Sequence, residues 1–251
     1  TCFIKEPKTD REALQREIES HYLQGEQTRS QRMITWLTVT AWEPLADFFK
    51  NHGLRLAILI LVFIFLFKIG EAFLGRMSIL FYKELFTNEE IGTYQKLYGG
   101  LATCVFALIG SIINVRLGVT RGLLIGGVAM AGSNLLFAWL AMAGPDKSIL
   151  LFAILTDNFT TAFSTVAFVS FLTALTGKAF SATQYALLAS IGNAGRTVLA
   201  SSGGWFVDWT GGNWPLFFVL TAVMVIPGLL LLVLIRKPLE QISTHHKDSN
   251  G

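Results

Sequence analysis

The sequence predicts an all-α integral membrane protein, a bundle of six transmembrane helices. Three observations carry that prediction. Hydrophobic residues make up 52% of the 251 residues and charged ones only 15%, well below the roughly 25% charged of soluble domains, and the mean hydropathy is +0.52. A soluble chain this apolar has too little polar surface to cover its core, whereas a bilayer is itself the solvent for apolar faces. The apolar residues are gathered into long runs, each near or above the roughly 20 residues that cross a hydrocarbon core as a helix. Lysine and arginine collect in alternate connections between those runs, as cytoplasmic loops do.

The chain opens Thr1-Cys2-Phe3-Ile4, with neither Met nor a signal-peptide pattern, and reads as a piece of a longer protein. Residues 1–53 are expected to hold the end of a preceding helix and a cytoplasmic loop, polar and mixed in charge from about Lys5 to Gly53. Arg11–Gln24 has helix-forming composition, and Trp36–Lys50 alternates aromatic and polar residues at near-helical spacing. Two readings stay open for the latter: an amphipathic helix in the membrane interface, or a helix packed against the membrane domain. Residues 54–236 hold the six-helix bundle, with spans expected near Leu54–Tyr82, Ile91–Val115, Gly122–Ala143, Ile149–Leu175, Ala182–Val207 and Pro215–Ile235. Scattered Gly, Ser and Thr, including the Gly122-Leu-Leu-Ile-Gly126 pattern, suit close helix approach. Trp214-Pro215 suits the start of the last span, an interfacial anchor followed by proline in the first turn. Residues 237–251 read as a polar tail.

Orientation follows from the basic residues. Arg55, the seven before it, Arg116, Arg121, Lys178, Arg236, Lys237 and Lys247 fall on one side of the predicted topology. The other side holds Lys83, Lys147 and Lys96, so both ends of the segment are expected in the cytoplasm.

Ionisable residues in mid-membrane are expensive and mark function by default. Lys68 and Glu71 stand in the first span, Asp157 in the fourth and Arg196 in the fifth. Lys68 and Glu71 are three apart on one helix face and can pair; a purely structural buried salt bridge is the competing reading. Arg76 and Lys96 lie nearer the outer end and read as snorkelling to the interface. Asp157, Thr160, Thr161 and Ser164 form one polar stripe, and Ser190, Asn193, Arg196 and Thr197 another. Facing each other, the stripes would line a water-filled cavity for a polar solute; as hydroxyl glue they would only pack helices.

Other classes find little support. Asn158-Phe159-Thr160 matches a glycosylation sequon but sits inside a span. Cys2 and Cys104 give neither a disulfide framework nor a metal spacing. The histidines, His21, His52, His245 and His246, lie in segments expected to be cytoplasmic, and no catalytic set gathers at one depth. No basic stripe points to nucleic acid, no cofactor or metal motif is present, and there is no Walker loop. Transport, if that is the activity, would run on an ion gradient.

Several segments resemble the AmpG muropeptide permeases, a branch of the major facilitator superfamily. They are Phe67-Lys68-Ile69-Gly70-Glu71-Ala72-Phe73, Lys178-Ala-Phe-Ser-Ala-Thr-Gln-Tyr-Ala-Leu-Leu188, and Gly195-Arg196 followed by Gly203-Gly-Trp-Phe-Val207. The matches are collinear over about Glu43–Leu239. The resemblance implies the C-terminal half of a major facilitator fold, with the six spans as helices seven to twelve and Lys5–Gly53 as the central cytoplasmic loop. It implies proton-coupled import of anhydro-muropeptides across the bacterial inner membrane, in cell-wall recycling, by alternating access against an N-terminal six-helix half. Lys68, Asp157, Thr161, Asn193 and Arg196 are then the expected substrate-binding residues, and Glu71 or Asp157 the proton carrier. The stretch Gly110–Arg121 is similar to a degenerate copy of the superfamily's loop motif, with Asn114 in place of its aspartate, which puts a gating role for it in doubt. Some members carry further helices after the twelfth, where this chain has a polar tail. A facilitator for acetyl-CoA or a sugar, and a membrane scaffold without transport activity, are the competing functions.

Overall fold

A computed structural model describes residues 42–176 and 181–248. The expected helix Arg11–Gln24, residues 36–41 of the aromatic stretch, Cys2, His21 and Lys178 lie outside the described residues, as do the side chains of His245 and His246. Every regular element among the described residues is helical. In chain order they are α1 (Glu43–His52), α2 (Leu54–Phe67), α3 (Ile69–Leu85), α4 (Asn88–Ile91), a π-helical turn (Gly92–Gly99), α5 (Gly100–Leu117), α6 (Val119–Ala143), α7 (Lys147–Leu175), α8 (Ser181–Ser201), α9 (Gly203–Trp209), α10 (Trp214–Val223) and α11 (Ile226–Asp248).

The chain ends are set by local chemistry. Pro44 sits in the first turn of α1, with Glu43 at its start and Lys50 and His52 in its last turn, charges that complement the helix dipole. Thr87 and Glu90 close a capping box on α4. The Asp146 carboxylate accepts the Ser148 and Ile149 amides at 2.7 and 3.1 Å at the start of α7, and Asn213 caps α10 by accepting from Leu216. Gly118, at φ 80°, turns the chain between α5 and α6 in a conformation that other residues rarely adopt.

Five helical stretches are long and apolar enough to cross a membrane: Leu54–Leu85, Asn88–Leu117, Val119–Ala143, Lys147–Leu175 and Trp214–Pro238. The expected fifth span, Ala182–Val207, is helical through α8 and α9 but does not reach that apolarity, because Gln184, Asn193 and Arg196 interrupt it.

The chain divides into two compact units. The first gathers the described residues up to Ile58 with those of Leu172–Ala189. There Phe48 of α1 is buried, and the Gln184 amide donates to the Pro44 carbonyl at 3.0 Å and the Asp47 carboxylate at 2.8 Å. Of the two readings of the aromatic stretch, these contacts give its described part the packed one.

The second unit holds Leu59–Phe171 and the described residues from Ser190 on. Lipid is as apolar as a leucine side chain, so its helices associate through close packing rather than hydrophobic transfer. Phe81, Phe137, Phe206, Phe217 and Phe218 interlock between α3, α6, α9 and α10, with ring centroids 5.0 Å apart for Phe81–Phe218 and 5.4 Å for Phe206–Phe217. The Gly122–Gly126 pattern faces α7: a methyl group on Gly126 would lie 3.1 Å from the Ser164 Cα, and one on Gly122 would lie 3.4 Å from the Ala167 methyl. Two spans are broken. α10 stops at Val223, four residues before Pro227, where a proline ring meets the carbonyl of the preceding turn. The first span breaks at Lys68, and Gly70 just beyond it lies so close to Val225 that a methyl group would come within 2.6 Å of the valine.

Candidate functional site

Lys68 stands at the break between α2 and α3, and Glu71 is in the first turn of α3. Both are nearly enclosed, at 7% and 9% exposure. The expected pair is present: the Lys68 ammonium donates to Glu71 Oε2 at 2.5 Å. It also donates to Thr165 Oγ1 at 2.8 Å and reaches Ser164 Oγ at 3.5 Å, both on α7. The other oxygen of Glu71 lies 3.6 Å from a guanidinium nitrogen of Arg196 on α8. Glu71 therefore bridges two cations contributed by different helices. The Arg196 side chain remains 52% exposed.

Asp157 lies half-buried on α7. Its Oδ1 accepts from Ser133 of α6 at 2.8 Å. No cation lies within ion-pairing distance of Asp157 among the described residues, but the charges of Glu71 and Lys68 act on it over a longer range. Of the four mid-membrane charges expected from the sequence, Lys68, Glu71 and Arg196 are thus joined directly, and Asp157 interacts with the first two only at a distance. A buried arrangement of this kind is costly unless each charge is compensated, and here two carboxylates stand with two cations.

The polar stripes behave differently from expectation in one respect. Thr160 and Ser164 are buried and donate back to carbonyls of their own helix, those of Asp157 and Thr161. Such bonds satisfy a hydroxyl without a ligand. Thr161 is half-buried one turn beyond Asp157, and Asn193 is exposed, its carbonyl accepting from Thr197. Thr161 and Asn193 are not joined by any described contact. The stripes are linked instead through Lys68 and Glu71, which touch Ser164 and Thr165 on one side and Arg196 on the other.

Thr165 and Ser133 were not singled out by sequence reasoning. Thr165 lies at the edge of the α7 stripe, four residues after Thr161, and only the fold brings the Lys68 ammonium to it. Ser133 had a signal in the polar triplet Gly132-Ser133-Asn134 of an otherwise apolar span, but nothing local said which helix it faced. Asn134 turns to Thr221 of α10, its amide donating at 3.2 Å.

Two other expectations resolve into packing. Asn158 of the rejected sequon accepts from Thr103 at 2.7 Å and lies against Gly99, joining α7 to the π-helical turn and α5. Asn114 is buried, and its amide donates to the Gly110 carbonyl at 2.9 Å and across to the Phe163 carbonyl at 3.1 Å. Its Oδ1 occupies the space that a side chain on Gly122 would need, 2.0 Å from where the methyl carbon would stand. The residue that replaces the motif's aspartate is thus a fastener between α5, α6 and α7. A cleft of about 220 Å³ near it, lined by Ser111, Val119 and Ser170, contains none of the candidate residues. Arg76 and Lys96 are exposed.

No family model matches the chain. It is 36% identical over 206 residues to the "Putative transporter AmpG 4" of Rickettsia conorii, covering 80% of this chain and 49% of that one. It is 37% identical over 199 residues to the "Anhydromuropeptide permease" of Escherichia coli K12, covering 78% and 40%. The chain belongs to the AmpG family of membrane transporters. It spans about half the length, or less, of these curated relatives. Belonging to that family and carrying several apolar spanning helices, it is a multi-pass membrane protein.

Proposed function

We propose that this chain is the C-terminal six-helix half of a proton-coupled secondary transporter that imports anhydro-muropeptides across the bacterial inner membrane. The joining of Lys68, Glu71 and Arg196 from different helices, with Asp157 of α7 within reach of the Lys68 and Glu71 charges, carries the reading. A scaffold needs no such set, since buried ion pairs are replaceable by apolar residues at little cost or with gain. The name of the Escherichia coli relative, an anhydromuropeptide permease, supplies the substrate class.

In this reading the site lies between halves, and alternating access rocks this half against the preceding one around it. Arg196 and Lys68 attract carboxylates of the peptide stem, Thr161 and Asn193 face the sugars, and Glu71 or Asp157 carries the proton. The exposure of Arg196 and Asn193 suits a site whose other wall belongs to the rest of the transporter. The protein acts as a permease, not an enzyme, and its orientation keeps both ends of this segment in the cytoplasm.

The test is uptake of labelled anhydro-muropeptide by cells that lack their own permease and express the complete gene containing this segment. Uptake is expected to collapse on addition of a protonophore and in Arg196→Gln. A well-expressed, membrane-inserted protein that moves no label would overturn the assignment of substrate.

A further inference from the structure

We infer that the four charges work as an electroneutral set, in which a substrate carboxylate enters at Arg196 and one proton enters at Asp157 to balance it. The inference rests on the transport reading and divides labour among residues that reading leaves equivalent.

Lys68 is already saturated. An ammonium has three hydrogens, and Lys68 finds three oxygens, those of Glu71, Thr165 and Ser164. It is buried as well, so it has nothing to offer a ligand without losing a partner. Its task is to position Glu71, whose other oxygen faces Arg196.

Arg196 differs on each count. A guanidinium carries five donors in a fork that fits a carboxylate, and among the described residues Arg196 makes one long contact, 3.6 Å to Glu71. Half of the side chain is exposed. It is the cation of the set with donors to spare, and a bidentate carboxylate is the ligand that matches them.

The set then dictates the proton. With Lys68 and Arg196 positive and Glu71 and Asp157 negative, the site is formally neutral. A bound carboxylate leaves one uncompensated negative charge in a membrane interior, which is strongly disfavoured. A proton from water onto one carboxylate oxygen restores neutrality, with no other bond made or broken. Glu71 has a cation on each oxygen. Asp157 has none in ion-pairing distance among the described residues: it accepts from the Ser133 hydroxyl of α6, the charges of Glu71 and Lys68 act on it over a longer range, and its own charge acts on the buried Tyr82 hydroxyl of α3. Asp157 is the carboxylate whose neutralisation breaks no ion pair. Substrate and proton therefore load together and leave together.

The complete transporter, purified in detergent in weak buffer with a pH-indicator dye, tests this. The probes are the anhydro-disaccharide bearing a single L-alanine, which has one carboxylate, and its alaninamide, which has none. Binding of the acid is expected to take up one proton per molecule, while the amide binds about tenfold more weakly or worse and takes up none. Asp157→Asn is expected to abolish the proton uptake, and Arg196→Gln to erase the preference for acid over amide. Acid bound without proton uptake, or uptake surviving in Asp157→Asn, overturns the inference while the transport reading stands. The acid–amide comparison needs no variant, so a misfolded mutant does not shield the inference. Failure of both probes to bind the folded protein overturns the substrate reading and the inference with it.

Discussion

Lys68 and Glu71 share hydrogen bonds in a setting where neither charge can retreat to water, so deleting one strands the other. Removing one partner of a buried pair costs about 3–5 kcal/mol, whereas replacing both by apolar residues of similar volume is often neutral or stabilising. Glu71→Gln should therefore destabilise the second unit by that order, leaving both Lys68 and Arg196 without their counter-charge. The double variant Lys68→Met with Glu71→Leu should recover most of the loss, read as thermal unfolding in detergent. A loss in the double variant equal to the sum of the two single losses would mean that the pair is not coupled. Thr165→Val tests the third partner: it deletes a hydroxyl 2.8 Å from the ammonium, and a hydrogen bond to a charged group is worth about 1.5–3 kcal/mol. At this scale the sequence made the pair visible, because a three-residue spacing fixes a shared face before any tertiary contact is known. The partners of Thr165 and Ser133 were not legible, for the converse reason. Those partners lie 97 and 24 residues away, and only helix packing brings them together.

Among the elements, the helices pack where glycine removes the side chain, and the glycines are not equivalent. Gly126 lies against the α7 backbone at Ser164, while nothing stands within 4 Å of a side chain placed on Gly132 of the same helix. Gly126→Leu should drive α6 away from α7 and destabilise by about 1–3 kcal/mol, as overpacking does. Gly132→Ala should instead stabilise by up to about 1 kcal/mol, because alanine restricts the unfolded chain and favours helix. Thermal unfolding of the two variants side by side distinguishes them, and a loss of equal size at both would show that composition, not packing, sets the cost. The spans themselves were legible, since an apolar run bounded by Gly118, Gly144 or a capping residue leaves little choice of ends. The break at Pro227 follows from a missing amide hydrogen. The break at Lys68 has no such local mark: no proline is near, and what distinguishes the place is Val225, from the break between α10 and α11, seated on Gly70. The segment α8–α9 is less legible, for Gln184, Asn193 and Arg196 lower the apolarity by which a span is recognised.

For the whole molecule the question is whether that segment crosses the membrane, because the side on which the tail lies depends on it. The tryptophans argue that it does. Trp139 lies near the end of α6, Trp205 and Trp209 on α9, and Trp214 at the start of α10. These residues flank the turns at Gly144 and at Gly211–Gly212, and tryptophan concentrates at the membrane–water interface. Trp139, Trp205 and Trp209 are exposed large aromatics, as interfacial residues should be. The turn at Gly118 carries Arg116 and Arg121 instead, the mark of the cytoplasmic side. If α8–α9 crosses, the turns at Gly144 and Gly211 share the outer side. If it does not, the turn at Gly211 stays with Gly118, and α10–α11 carries the tail outward. Cysteines introduced one at a time into the complete protein, after Cys2 and Cys104 are changed to serine, separate the cases with a membrane-impermeant thiol reagent on intact cells from which any outer membrane barrier has been removed. Pro145→Cys should label, and Thr120→Cys should label only after the inner membrane is permeabilised. Asp208→Cys, exposed at the end of α9, decides the matter: labelling in intact cells establishes six crossings. Labelling only after permeabilisation would leave α8–α9 on the cytoplasmic side, placing Arg196 outside the bilayer and removing the low-dielectric setting on which one-for-one balance with the proton depends.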